Sequence, residues 1–223
     1  MDSTKIKPSH KFFFKTLDND LDSLYAYLEV KKNEIYSNSL NVPEEKFKEM
    51  RDRGDSLPTM LGDYYNIFSW DDSAIQKLKN GLKETIQEAC EYYSIDFDNA
   101  DFYICGWFNW NDGGSCYDVD DVTAHPEFFH DHMRGTGAPV FHGYYCVNAE
   151  PTKTFYHLNR DINSLVANNN INNRLVVSET GHPHAIDNWS FLDKARITIA
   201  YDISPRNPSL VGTSFVGPHW IKL

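Results

Sequence analysis

The chain has 223 residues, 41% of them apolar and 14% aromatic, which is enough to enclose a core and too apolar for a disordered segment. Its 32 acidic residues outnumber 21 basic ones, for a net charge of −11. That balance repels polyphosphates and no Lys/Arg cluster offsets it, so nucleic acid is not the expected partner.

No run approaches the ~18 apolar residues of a membrane span. Phe12-Phe13-Phe14 is too short for the apolar core of a leader and is flanked by Lys11 and Lys15. Cys90, Cys105, Cys116 and Cys146 form no C-x-x-C pair and so no zinc-ribbon spacing. The expectation is a soluble, cytoplasmic protein with free thiols and no membrane partner.

Residues 1–100 read as a helical buttress. Leu21, Leu24, Tyr25 and Leu28 recur at helical spacing. Pro43 opens a shorter candidate helix over Glu44–Arg53, which Gly54 ends. The strongest helix runs from Ser73 to about Tyr93. Asp72 or Ser73 can cap it, and Ile75, Leu78, Leu82, Ile86, Ala89 and Tyr93 make one apolar stripe. A stripe of this kind reads as core beneath a sheet rather than as a cofactor box.

From residue 101 the pattern becomes that of short strands. Phe102–Trp110, Val140–Val147, Thr154–Leu158, Arg174–Ser178 and Ala195–Ile203 are aromatic or β-branched runs. Gly113-Gly114, Gly135-Thr136-Gly137, the Asn168–Asn173 tract and Gly181 punctuate them, the asparagine tract reading as a hairpin turn. Helices followed by strands imply a mainly β fold with N-terminal α-helices, a sandwich or barrel propped from one side. The organisation expected is a buttress over 1–100, a core over 101–203 and a proline-marked arm over 204–223, together one domain.

The chemistry gathers in the strand region. Side chains two apart on a strand share a face, so His130 and His132 present two imidazoles to one metal if that stretch is extended. His184, just past Gly181-His182-Pro183, offers a third from a neighbouring strand. Three protein ligands with open positions describe a catalytic metal rather than a closed structural one. In the run Ala195–Ile203, Arg196, Thr198, Ala200 and Asp202 share one face, and Ile197, Ile199, Tyr201 and Ile203 the other. If the isoleucine face meets the buttress, Arg196 and Thr198 point into the interior. A buried guanidinium needs an anion and fits a carboxylate best.

Other features read more blandly. His142, mid-strand among aromatics, reads as a packed core residue, and His182 as a competitor to His184. Trp107, Asn109 and Trp110 read first as aromatic filling and second as a lining for the interior's mouth. Asp118, Asp120 and Asp121 read as a solvated loop, with steering of a cationic substrate as the sharper alternative.

Taken together, His130-Asp131-His132, Gly143-Tyr-Tyr-Cys-Val-Asn148, Gly181-His-Pro-His184-Ala-Ile186 and Arg196-Ile-Thr198 resemble the core of the Fe(II)/2-oxoglutarate-dependent oxygenases, nearest the prolyl-hydroxylase-like branch. The likeness covers roughly residues 101–203. It implies a double-stranded β-helix, or jelly roll, with Fe(II) on His130, His132 and His184. It also implies a 2-oxoglutarate carboxylate held by Arg196 and Thr198, with Tyr145 or its neighbour Tyr144 as a further contact. The activity implied is hydroxylation of a C–H bond of an amino acid, peptidyl residue or small metabolite, with release of succinate and CO₂.

One position departs from the pattern, since the family's second ligand is ordinarily a carboxylate and here it is His132. Three arrangements follow: three histidines hold the metal, or two do with His132 as bystander, or the set begins earlier at His125-Pro126-Glu127. Two other classes of function also remain. One is a cupin-like three-histidine iron dioxygenase that does not use 2-oxoglutarate. The other is a non-catalytic jelly-roll binding module.

Overall fold

The computed structural model describes residues 9–38, 57–60, 65–112, 119, 121–132, 139–205 and 220–223. The candidate helix at Glu44–Arg53, Gly113-Gly114, Gly135-Thr136-Gly137, Cys116, Asp118, Asp120, His219 and most of the C-terminal arm lie outside them.

Two long helices carry the N-terminal half. The first, α1 (Leu21–Asn38), buries Leu24, Leu28 and Ile35 along one side. The second, α2 (Ser73–Tyr93), starts where the Asp72 carboxylate accepts the Ala74 and Ile75 amides at 2.9 and 3.1 Å. That bond satisfies donors a first turn leaves open. The helix ends at Ser94, which adopts the left-handed conformation (φ 57°). Of the stripe expected from the sequence, Ile75, Leu78, Leu82, Ile86 and Ala89 are buried and Tyr93 is half-buried.

The strands form two antiparallel sheets, so the described fold is mainly β. They are β1 (Phe13–Thr16), β2 (Tyr103–Asn111), β3 (Phe141–Asn148), β4 (Lys153–His157), β5 (Leu165–Asn169), β6 (Arg174–Glu179), β7 (His184–Ile186), β8 (Arg196–Ser204) and β9 (Ile221–Lys222). The large sheet has the order β1-β6-β3-β8-β2-β9, and the small sheet β5-β4-β7. Ile197, Ile199, Tyr201 and Ile203 of β8 join the core cluster that also holds α1 and α2. The helices therefore cover one face of the large sheet. The small sheet lies against the other, where Tyr156 of β4 packs with Tyr144, Cys146 and Val176.

Three expectations are corrected. The N-terminal segment is not purely helical: β1 extends the large sheet by pairing with β6, because Phe13 inserts into the core while its neighbours point away. The C-terminal arm is not wholly irregular either, since Ile221 and Lys222 pair with β2. The Asn168–Asn173 tract is not a hairpin turn but the crossing from β5 in the small sheet to β6 in the large one. Its amides bind inward: Asn170 Nδ2 donates to Thr152 Oγ1, and Asn172 Oδ1 accepts the Ala149 amide. Asn173 holds the left-handed conformation at φ 66°. No helix among the described residues is long and apolar enough to cross a membrane, and Cys90, Cys105 and Cys146 are buried free thiols.

Candidate metal centre

The covered face of the large sheet is built by strand register. On β8 it carries Arg196, Thr198 and Asp202; opposite them on β2 stand Asn111, Asn109 and Cys105, and on β3 Cys146 pairs with Thr198 and His142 with Asp202. The alternation anticipated for Ala195–Ile203 is the one found. Arg196 is 1% exposed, and its Nε donates to Thr152 Oγ1 at 3.2 Å. Thr198 Oγ1 accepts from Asn109 Nδ2 at 3.1 Å.

His130, His132 and His184 meet at this face, with ligand nitrogens all within 4.8 Å of one another. His184 enters on β7, and His130 is tied to it by an isolated antiparallel bridge. His132 follows two residues later, as strand-like alternation requires, while Asp131 between them turns away to an ion pair with Arg160. The ring centroids lie 4.5 Å apart for His130 and His184, 5.1 Å for His132 and His184, and 5.7 Å for His130 and His132.

Hydrogen bonding sets the tautomers. His132 Nδ1 lies 2.5 Å from Asp202 Oδ1, and His184 Nδ1 lies 3.4 Å from the His182 carbonyl. A carboxylate and a carbonyl only accept, so each Nδ1 carries the proton and each Nε2 keeps a lone pair for a metal. Burial, and then the nearby His130, His142 and His132, hold the His184 pKa well below the usual imidazole range, so the ring is neutral as a ligand must be. This donor chemistry fits a divalent metal on all three histidines.

A second cluster, His10, Glu179 and His182, also gathers its donor atoms within 4.8 Å. Its chemistry differs. The Asn159 amide donates to His182 Nδ1 at 2.8 Å, which leaves the proton on Nε2, where a metal would need the lone pair. That bond instead holds the Gly181–Pro183 turn from which His184 departs, together with the bond from the His157 amide to the Pro183 carbonyl at 2.8 Å.

His125 and Glu127, the alternative start of the ligand set, sit on short 3₁₀ turns and bind each other at 3.0 Å on the surface. They do not belong to either cluster. Trp107 and Trp110, considered together in the sequence, separate. The Trp107 ring stacks at 5.7 Å from His132, whereas Trp110 is in the helix-side core against Tyr25. Tyr145 is corrected as a contact at this face, because it projects from the opposite one. Its hydroxyl donates to Asn173 Oδ1 at 2.5 Å and accepts from Asn19 Nδ2 at 3.1 Å.

The tyrosine on the histidine face is Tyr144, aligned with Ala200 of β8. The Tyr144 hydroxyl is buried beside those of Thr154 and Tyr156, within reach of both, and His142 Nε2 is buried with no hydrogen-bond partner among the described residues. Tyr156 stands 5.4 Å from the His184 ring, and His142 stands 4.9 Å from His184 and 5.1 Å from His132. Burial above all, and then the nearby Cys146, raises the Tyr144 pKa, while the hydrogen bond with Thr154 and the positive charge of Arg196 oppose the rise. A buried polar atom without a partner costs about 1–3 kcal/mol, so His142 Nε2 beside this group of hydroxyls marks a place for a polar ligand. Sequence reading placed His142 as a packed core residue and gave Tyr156 and Asp202 no role. The signal for Asp202 was present, since it shares the β8 face with Arg196. Tyr156 had no comparable signal.

Compared with models of known protein families and with curated proteins, the chain matches none.

Proposed function

We propose that this chain is an Fe(II)- and 2-oxoglutarate-dependent oxygenase built on a jelly roll. The observation that carries the reading is the convergence, on one interior sheet face, of three histidines with two preset tautomers and a buried arginine. The large and small antiparallel sheets facing each other support the jelly-roll assignment. His130, His132 and His184 would hold the iron. Arg196, with Thr198 beside it, would bind the far carboxylate of the keto acid, and Tyr144 would take the contact first considered for Tyr145. The metal with its co-substrate and O₂ would supply oxidation of an unactivated C–H bond, with succinate and CO₂ as co-products.

The protein's own contribution is placement. The buried guanidinium would orient a dicarboxylate along the face, with the Tyr144 and Tyr156 hydroxyls as further polar groups near Arg196 and the His184 ring. The substrate would be an amino acid, a peptidyl residue or a small metabolite.

The test is an anaerobic titration of the Fe(II)-loaded protein with 2-oxoglutarate, followed in the visible range. A weak charge-transfer band saturating near one equivalent supports the reading. The all-imidazole donor set favours a second reading, a cupin-like dioxygenase that binds its substrate's own carboxylate through Arg196. Bound iron without the band supports that alternative, and absence of stoichiometric iron supports a binding module instead.

A further inference from the structure

We propose that Asp202 is the positioning residue of this centre, supplying through the His132 imidazole the negative charge that the ligand set itself lacks. The inference rests on His130, His132 and His184 holding a divalent metal. Three neutral imidazoles leave such a cation one unit more positive than two imidazoles and a carboxylate would. A compensating carboxylate lies one ring away, where Asp202 Oδ1 accepts from His132 Nδ1 at 2.5 Å.

The geometry makes this contact more than a surface pair. The side chains of His132 and Asp202 are 12% and 18% exposed. Asp202 is carried by β8, an internal strand between β3 and β2, so the backbone that bears its carboxylate is held by ladders on both sides. His132 lies beyond the His130 bridge and outside any strand, so its own backbone does not hold the ring. The ring is instead oriented between Trp107 at 5.7 Å and His142 at 5.1 Å, with Asp202 holding its Nδ1 edge. A carboxylate in this position fixes the tautomer that leaves Nε2 free, and makes that nitrogen a stronger donor. The arrangement turns His132 from the weakest-looking ligand in the sequence into an anchored one.

The experiment is an anaerobic Co(II) titration of the full chain, comparing wild type with Asp202→Asn, Asp202→Glu, His132→Ala and the Asp202→Asn/His132→Ala double variant. Asp202→Asn keeps an acceptor and removes the charge, and is expected to bind one equivalent about 10- to 100-fold more weakly. Asp202→Glu is expected to fall between it and wild type, and serves as the reading if the Asn variant fails to fold. In the His132→Ala background Asp202→Asn is expected to add nothing, because the carboxylate acts through that ring. Affinity of Asp202→Asn within about twofold of wild type, or the same loss with His132 absent, would overturn the proposal while leaving the metal centre in place. Wild-type protein that takes up no cobalt removes the centre itself, and this proposal with it.

Discussion

His130 and His184 exchange two backbone hydrogen bonds, His130 N to His184 O at 3.1 Å and His184 N to His130 O at 2.8 Å. One bridge therefore sets two ligands of the proposed centre side by side, independently of any metal. The ring of His184 touches those of His130, His132 and His142, which makes it the hub of the cluster.

Replacing the hub should therefore empty the centre without unfolding the chain. His184→Ala is expected to lose stoichiometric Fe(II) or Co(II) binding, since the bridge uses backbone atoms that the substitution keeps. His182→Ala, which belongs to the other cluster and whose Nδ1 is engaged by Asn159, should retain one equivalent. Metal analysis after equilibrium dialysis separates the two, and loss of metal in His182→Ala alone would reverse the assignment.

Arg196→Ala should weaken 2-oxoglutarate while leaving iron content nearly intact. Removing one partner of a buried charge pair costs about 2–5 kcal/mol, roughly thirtyfold or more in affinity. The visible titration measures it directly. An unchanged requirement for 2-oxoglutarate would remove Arg196 from the role.

The adjacent tyrosines of β3 should behave differently. Tyr144→Phe is expected to weaken co-substrate binding at a stability cost of about 1 kcal/mol, because its hydroxyl lies on the histidine face and meets Thr154 and Tyr156 there. Tyr145→Phe breaks the bonds to Asn19 and Asn173 and should cost about 1 kcal/mol of stability with co-substrate affinity preserved. Chemical denaturation and the visible titration, run on both variants, give the cross-check.

Acid should destabilise the metal-free protein from just below neutrality. Burial first, then the neighbouring His132, His182, His130 and His10, holds His142 well below the ordinary imidazole value of about 6.5. Above that value folded and unfolded chains both carry a neutral ring, and the group contributes no pH dependence. Below it the unfolded chain takes up a proton that the folded one does not, so stability falls by about 1.4 kcal/mol per pH unit until the folded pKa is reached. Urea midpoints between pH 7.5 and 5.5 should show this fall, and His142→Phe should flatten it by one group's share.

Gly143→Ala should be among the most damaging single substitutions. A Cβ there would lie 1.8 Å from the Val176 carbonyl oxygen and 2.8 Å from Tyr201 Cε2, so backbone or ring must shift. A loss of about 3 kcal/mol is expected. A thermal midpoint equal to that of wild type would contradict the β3–β6 register described above.

Much of this was legible from local pattern. The capping pair Asp72-Ser73 and the apolar stripe marked α2, and the alternation of β8 assigned Arg196 and Thr198 to the interior. Those signals are written within one element, where periodicity and capping act over a few residues. His130, His132 and His184 were legible as ligand types, but their meeting depends on a bridge between segments far apart in the chain.

What the chain's order could not determine lay where an element is buried on both faces or lacks length. Every residue of β3 from Phe141 to Val147 is buried, so no polar alternation tells Tyr144 from Tyr145, and only pairing with β8 decides which faces the centre. The short strands β1 and β9 have too few residues for a pattern and exist because the large sheet offers edges to pair with. The Asp202–His132 contact joins residues on different segments through side chains alone. The residue types of the centre came from the sequence, and their distances and protons came from the tertiary contacts, because hydrogen bonds across sheets carry no trace in the order of the chain.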